Sequence, residues 1–479
     1  MKARLLEIAL ATENRKWWTL LAVSFGLFMI MLDNTVVNVA LPSIASSFHV
    51  KVSELEWVVV GYALSFATFM LSGGKLADRY GRRRLFIIGL VIFTGASLAC
   101  GLATGINFLI GARIVQGVGG AIMNPATLSI ITATFPPRQR GTAIGIWAGV
   151  SAMALAIGPL VGGALTEYVH WSWSFFINVP VGIIGIAVTR WAVDESRDTS
   201  HEQRLDLPGL LTSGVGLFSL TYGLIEANNY GWTSARILVL FALAVVSLVA
   251  FVLLEQRQRL PMLDLSLFRS RTYSGANVAM LLVTLAMFGI FFFNSIFFQR
   301  ILGYSPVQTG ALFLPMTVLI ILIAPQAGRL SDRLGSRWLI GTGLSFVTLS
   351  LVLFAQLDRG STFWNALPGL LTGGFGMALT MTPTTAAAMG SVAVDKAGVG
   401  SAVLNAFRQV GGSLGIAVMG AVVASQVHVP QTSPEYPGQF VDGYHLGLYV
   451  AAAIAFTGAL VAVSTIRKVR HVEPAPAAA

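Results

Sequence analysis

The chain has 479 residues, 55% of them hydrophobic and only 11% charged, with a formal net charge of +10. Soluble domains carry about 25% charged residues, so this composition excludes a water-soluble globular protein. The surplus of basic residues does not indicate nucleic acid either, because it follows the loops between apolar segments rather than forming one patch.

Apolar runs long enough to cross a bilayer, about 20 residues each, are predicted at roughly 17–41, 55–74, 84–104, 106–127, 141–166, 173–193, 207–226, 236–254, 274–298, 306–328, 337–356, 363–388, 399–425 and 445–466. The expected class is an all-α polytopic membrane protein with 14 spans and both termini on one side. Residues 1–16 are polar and lead into the first span without a small-residue cleavage site, so no cleavable signal peptide is expected. With the termini placed in the cytoplasm, 25 basic residues fall on that side and four (Lys51, Arg236, Arg300, Arg359) on the other. That asymmetry is the positive-inside rule.

In the first span Asp33 lies about two-thirds of the way through, where a carboxylate costs about 2.5–3.5 kcal/mol unless paired or wetted. Asn34 and Asn38 flank it. Ser53 and Glu56 read as a capping box at the start of the second span. In the fourth span Arg113, Gln116, Gly117, Gly120 and Asn124 fall at helical spacing on one polar, small-residue stripe. In the fifth, Ala148, Ala152 and Ala156 repeat at every fourth position, as do Gly158 and Gly162, and Pro159 interrupts the backbone ladder. Glu226 ends the seventh span and reads as interfacial and solvated. In the thirteenth, Arg408 shares a face with Ser401, Asn405, Gly412 and Gly415, with Gln409 beside it. Val418 stands where the fifth span has its proline. The lone Cys100 reads as core filler, the histidines have no metal-ligand spacing, and no P-loop is present. No metal, cofactor or enzymatic constellation is expected. The Pro/Ala-rich segment 471–479 reads as a disordered tail.

Residues 74–83 and 328–337 both follow G-[K/R]-L-x-D-R-x-G-x-R, 254 positions apart. Asn107, Gly111, Met123, Pro125 and Thr127 recur as Asn365, Gly369, Met381, Pro383 and Thr385, 258 positions apart. A duplicated unit is implied. It divides the chain into a six-helix half (1–195), a linker with an extra two-helix hairpin (196–272) and a second six-helix half (273–470). Such repeats enclosing a central site are a transporter plan.

These residues also carry a resemblance. The segment Gly74, Asp78, Arg79, Gly81, Arg82 and Arg83, expected as a cytoplasmic loop, resembles the signature loop of the major facilitator superfamily. Leu32 through Pro42 resembles the helix 1 motif of its drug:proton antiporters, Arg113–Gly117 their helix 4 motif, and Gly149 through Gly163, with Gly158, Pro159, Gly162 and Gly163, their antiporter motif. Fourteen spans match the fourteen-helix, multidrug-efflux branch. The resemblance implies two six-helix bundles rocking about a central cavity, export coupled to proton entry through Asp33 and Arg113, and a bend in helix 5 associated with antiport. It implies a conformational lock at Asp78, near Gly400 of the other half, mirrored by Asp332 and Arg333.

The substrate cavity is expected at Asn34, Asn38, Gln116, Asn124, Trp147, Asn294, Asn405, Arg408 and Gln409. The partners expected are protons, small amphipathic substrates and the lipid bilayer, with no nucleic acid, in a monomer of the bacterial cytoplasmic membrane. The alternatives are an exporter of one endogenous metabolite, lipid or self-made antibiotic, and a non-transporting membrane sensor, for which no added soluble domain is visible.

Overall fold

The computed structural model describes residues 12–197, 206–258, 261, 263–392, 397–430 and 433–467. The expected tail at 471–479 lies outside them. Every described secondary-structure element is helical. Twelve helices are long and apolar enough to cross a membrane: α1 (Thr12–Phe48), α2 (Val52–Tyr80), α3 (Arg82–Gly101), α4 (Ile106–Thr134), α6 (Trp173–Ala192), α7 (Leu207–Tyr230), α8 (Ala235–Arg257), α9 (Arg271–Ile301), α10 (Pro306–Ser331), α11 (Ser336–Phe354), α13 (Ala397–Ala424) and α14 (Tyr436–Thr465). Two more, α5 (Pro137–Tyr168) and α12 (Phe363–Gly390), have 32 and 28 residues but fall outside that group. Glycines and threonines dilute the apolar character of α12.

Several helix starts are capped by side chains that satisfy otherwise orphaned amides. Asp206 accepts from Gly209 N of α7 (2.8 Å), Ser270 from Tyr273 N of α9 (3.3 Å), and Ser305 from Gln308 N of α10 (3.3 Å). At α2 the expected Ser53/Glu56 box is not formed. The helix begins two residues earlier, so Lys51 is the cap and its amide donates to Glu54 Oε2 (2.9 Å). Glu56 then falls one turn in, and it is 3% exposed.

The segment 74–83 is also not a loop. α2 runs unbroken to Tyr80, because Gly73 and Gly74 serve close packing rather than a turn. A Cβ on Gly73 would stand 2.6 Å from the Ala121 carbonyl of α4. The turn is Gly81 alone, at φ +113°, and its counterpart Gly335 turns α10 into α11 at φ +88°. Both values lie where L-residues are strained. The duplication reappears in the packing as well. Gly89 and Gly119 bring α3 onto α4, and Gly343 and Gly376 bring α11 onto α12, each so close that an added Cβ would stand 2.6–2.9 Å from the facing backbone.

The core divides unevenly. Towards the end where the basic residues gather, a cluster from Leu20 to Val193 is built from α1–α6 alone. Towards the other end, Val37, Leu41, Ile44, Leu55 and Val58 of α1 and α2 merge into one cluster with Phe292, Phe297, Leu312, Met419 and Tyr444 of the later helices. The early and late helices are therefore sealed together at the end opposite the basic residues.

Candidate transport site

Asp33 and Arg113 meet, as the resemblance implied. Arg113 Nη1 donates to Asp33 Oδ2 at 2.5 Å, and the two residues are 1% and 0% exposed. Gln116 Nε2 and Asn178 Nδ2 donate to Asp33 Oδ1 at 2.9 and 3.2 Å. Arg113 Nε donates to the Val58 carbonyl (2.9 Å) and its Nη1 also to Gln116 Oε1 (2.7 Å). Ser97 accepts from Gln116 and Asn178 and donates to the Phe175 carbonyl (3.0 Å). The guanidinium lies 4.2 Å from the Tyr62 ring centroid, a stacking that suits Arg. A buried ion pair is weak unless its remaining donors and acceptors are also engaged, and this network engages both carboxylate oxygens and the Nε and Nη1 of Arg113.

Ser97, Tyr62 and Asn178 escaped the sequence reading. Asn178 carries the only visible signal: a lone amide in Phe175-Phe176-Ile177-Asn178-Val179, where α6 breaks. Cys100 is fully buried, with Sγ 3.8 Å from Gln116 Oε1 at the edge of the network.

The expected cavity residues separate into two groups. Gln116 belongs to the Asp33 network and is 0% exposed. Asn294 is held between α9 and α14 by Tyr444, whose hydroxyl donates to its Oδ1 (2.6 Å), so it is core rather than open wall. Asn34, Asn38 and Asn405 remain half-buried and donate to carbonyls one turn back on their own helices. Asn124 and Gln409 are buried, and Trp147 is half-buried with its indole N–H unpartnered. Arg408 is half-buried and has no ion pair among the described residues. The nearby charge or dipole acting on it is Tyr62, whose hydroxyl is itself buried without a partner.

At the basic end Asp78 accepts from Arg82 Nε at 2.9 Å, one turn along its own hairpin. Nothing links it to Gly400, whose carbonyl accepts instead from Tyr273 (2.9 Å). Arg79 lies against the Tyr80 ring, and Arg83 donates to the Arg190 carbonyl. The carboxylate that holds this hairpin is one the sequence did not flag: Glu195 accepts from Arg83 N and Arg84 N (3.1 and 3.2 Å), capping α3. Arg333 is exposed. The side chains of Asp332, Ala148, Ala152 and Ala156 lie outside what is described.

Of the antiporter motif, Gly158 and Gly162 seat α5 on Thr35 and Val36 of α1. Gly163 meets the Pro306 carbonyl, and reciprocally Gly310 of α10 meets the Pro159 carbonyl. A Cβ added at Gly149 would meet nothing within 4 Å. Two polar contacts reinforce this sealed end: Gln299 Nε2 donates to the Val39 carbonyl (2.9 Å), and Val307 N to Glu167 Oε2 (2.9 Å).

Glu167 is exposed, and hydrogen bonds from Ser305 and then from Val307 N hold its carboxyl below the usual range. A lowered carboxylate contributes only while ionised, so this contact is intact above about pH 4.3 and is lost as pH falls below that. Glu167→Gln should loosen the α5–α10 seam by less than tenfold at pH 7, with no added pH dependence between pH 5 and 8. Cross-linking yield across the seam measures this, and a yield equal to the parent's would show the contact to be idle.

A profile of the Major Facilitator Superfamily matches residues 23–416. The chain belongs to this superfamily. It is 39% identical to "Multidrug resistance protein Stp" of Mycobacterium tuberculosis (strain CDC 1551 / Oshkosh) over 85% of this chain and 76% of that protein. It is 33% identical to the "Tetracenomycin C resistance and export protein" of Streptomyces glaucescens over 97% and 94%. Among solved structures it resembles a bacterial homologue of the human lysosomal transporter Spinster in an inward-facing, unoccupied conformation, with TM-score 0.65, 17% identity and coverage of 95% and 99%. That likeness is one of fold.

Proposed function

We propose that this major facilitator protein exports amphipathic drugs or antibiotics from the cytoplasm in exchange for protons, by alternating access. The observation that carries the reading is the buried Asp33–Arg113 pair beside a seam that, among the described residues, is sealed at the end opposite the basic residues. Protonation of Asp33 cancels the pairing and frees Arg113, which changes the relative stability of the two cavity states. A shift of 1.4 kcal/mol changes a population about tenfold. The resistance and export names of the relatives support the substrate class.

In this reading α5 and α12 also cross the membrane, giving 14 spans. Residues 1–195 and 273–470 are the rocking halves, and 196–272 carries the hairpin α7–α8. Both termini face the cytoplasm of a bacterial inner membrane, and the conformation is inward-facing. The Asp78–Arg82 pair is then the lock at rest, free to engage the other half when the basic end closes. Arg408, without a counter-ion, favours substrates carrying an acidic or strongly accepting group over dicationic ones.

The test is transport in proteoliposomes with an imposed pH gradient, screened over anionic, neutral and cationic amphipathic compounds. Gradient-dependent accumulation of at least one class is the expected result. Accumulation that is indifferent to the gradient and driven by ATP or sodium would overturn proton exchange.

A further inference from the structure

Glu56 is the buried carboxylate that the central network does not use. It sits one turn into α2 at the sealed end, 3% exposed, with no hydrogen bond or ion pair among the described residues. Its carboxyl lies against the backbone of α13 at Gly420, where any added side chain would collide with it. The one charged group acting on it is another acid, Glu226 of α7, which is half-buried and accepts from Asn229 Nδ2 (2.9 Å). α13 presents Gly420 to the carboxyl. On α4, Arg113 is committed to Asp33 of α1 and to the Val58 carbonyl, two residues beyond Glu56. The same corner joins α7 to α13 directly: Asn228 Nδ2 donates to the Ala421 carbonyl at 2.6 Å.

An ionised carboxylate without a donor is costly in such a place, and a facing acid adds to the cost. Parting α2 from α13 removes both penalties by admitting water. We propose that Glu56 is a second proton site, filled when the outer end closes and emptied to the outside when it opens, with Glu226 of the extra hairpin setting its proton affinity. The site makes closure of the outer end conditional on outside acidity. It reaches only the outer aqueous phase, so it gates the cycle without adding to the protons carried per substrate. This rests on the inward-facing exporter reading above.

The test places spin labels at Lys51 and Gln426, exposed positions flanking the outer ends of α2 and α13, in the full chain in lipid nanodiscs. Distance distributions are recorded from pH 5 to 8. In the parent the open population should rise with pH, by up to tenfold per unit for one proton. Glu56→Gln mimics the filled site and should stay closed across the range. Glu226→Gln, at a half-exposed position where folding is not at issue, should move the opening midpoint to lower pH. A pH profile in both variants superimposable on the parent's would overturn the proposal. Asp33→Asn distinguishes the two readings: it removes uphill transport if the exporter reading holds, while leaving the pH response of this outer distance in place.

Discussion

Asp33→Asn should abolish proton-driven accumulation while leaving a folded, substrate-binding protein. Asn matches the Asp volume, and its single carbonyl can keep either the two amide donors of Gln116 and Asn178 or the Arg113 guanidinium, which in the parent lie on different carboxylate oxygens. It cannot change charge. For one-to-one exchange an imposed gradient of one pH unit supports about tenfold accumulation, since a unit corresponds to 1.36 kcal/mol. The expected ratio in the variant is about one, and substrate addition should no longer release protons. The measurement is paired substrate and pH-dye uptake in proteoliposomes. Full uphill transport by Asp33→Asn would remove Asp33 from the coupling role.

Arg113→Leu should cost far more in stability. It leaves Asp33 0% exposed with two amide donors and no cation. Breaking a buried pair from one side costs about 3–5 kcal/mol, chiefly through the stranded charge. The folded yield in detergent should collapse and the thermal transition should fall. The double substitution Asp33→Asn with Arg113→Leu should recover most of the loss, because no charge is then stranded. If Arg113→Leu is as stable as the parent, the carboxyl is already neutral in this conformation and the pair is not ionic.

The helices and the central pair could be read from the chain because each rests on a one-dimensional signal. Apolar runs of bilayer length mark spans, and charges inside such runs are rare, so Asp33, Arg113 and Arg408 stand out; the resemblance of the helix 1 and helix 4 motifs selected Arg113 as the partner. The repeat was legible for the same reason, and Gly81 and Gly335 occupy the same strained turn in both copies.

What the sequence hid depends on which helices face each other. Ser97 and Asn178 are ordinary polar residues until α3 and α6 turn them towards Asp33. Glu56 looked like a solvated cap because Ser53 precedes it by three. A two-residue shift in the helix cap, from Ser53 to Lys51, put it in the protein interior. Gly73 and Gly74 suggested a loop, but in a membrane helix their lack of a side chain lets α4 approach. Asn294 looked like cavity wall because nothing in sequence shows Tyr444, 150 positions away.

The α5–α10 seam has a consequence for how such a protein can diversify. Gly163 and Gly310 each meet the other helix's backbone carbonyl, so at these two positions the contact is main chain on main chain, with Glu167 adding a side-chain bond beside it. Its geometry survives any change at Asn34, Asn405, Arg408 or Trp147, none of which takes part in it. Mutations that alter what is recognised and mutations that alter how the two ends open therefore fall on separate sets of positions. A lineage can drift across chemically unlike cargoes without rebuilding its gate, and selection for a new cargo should leave these two glycines untouched.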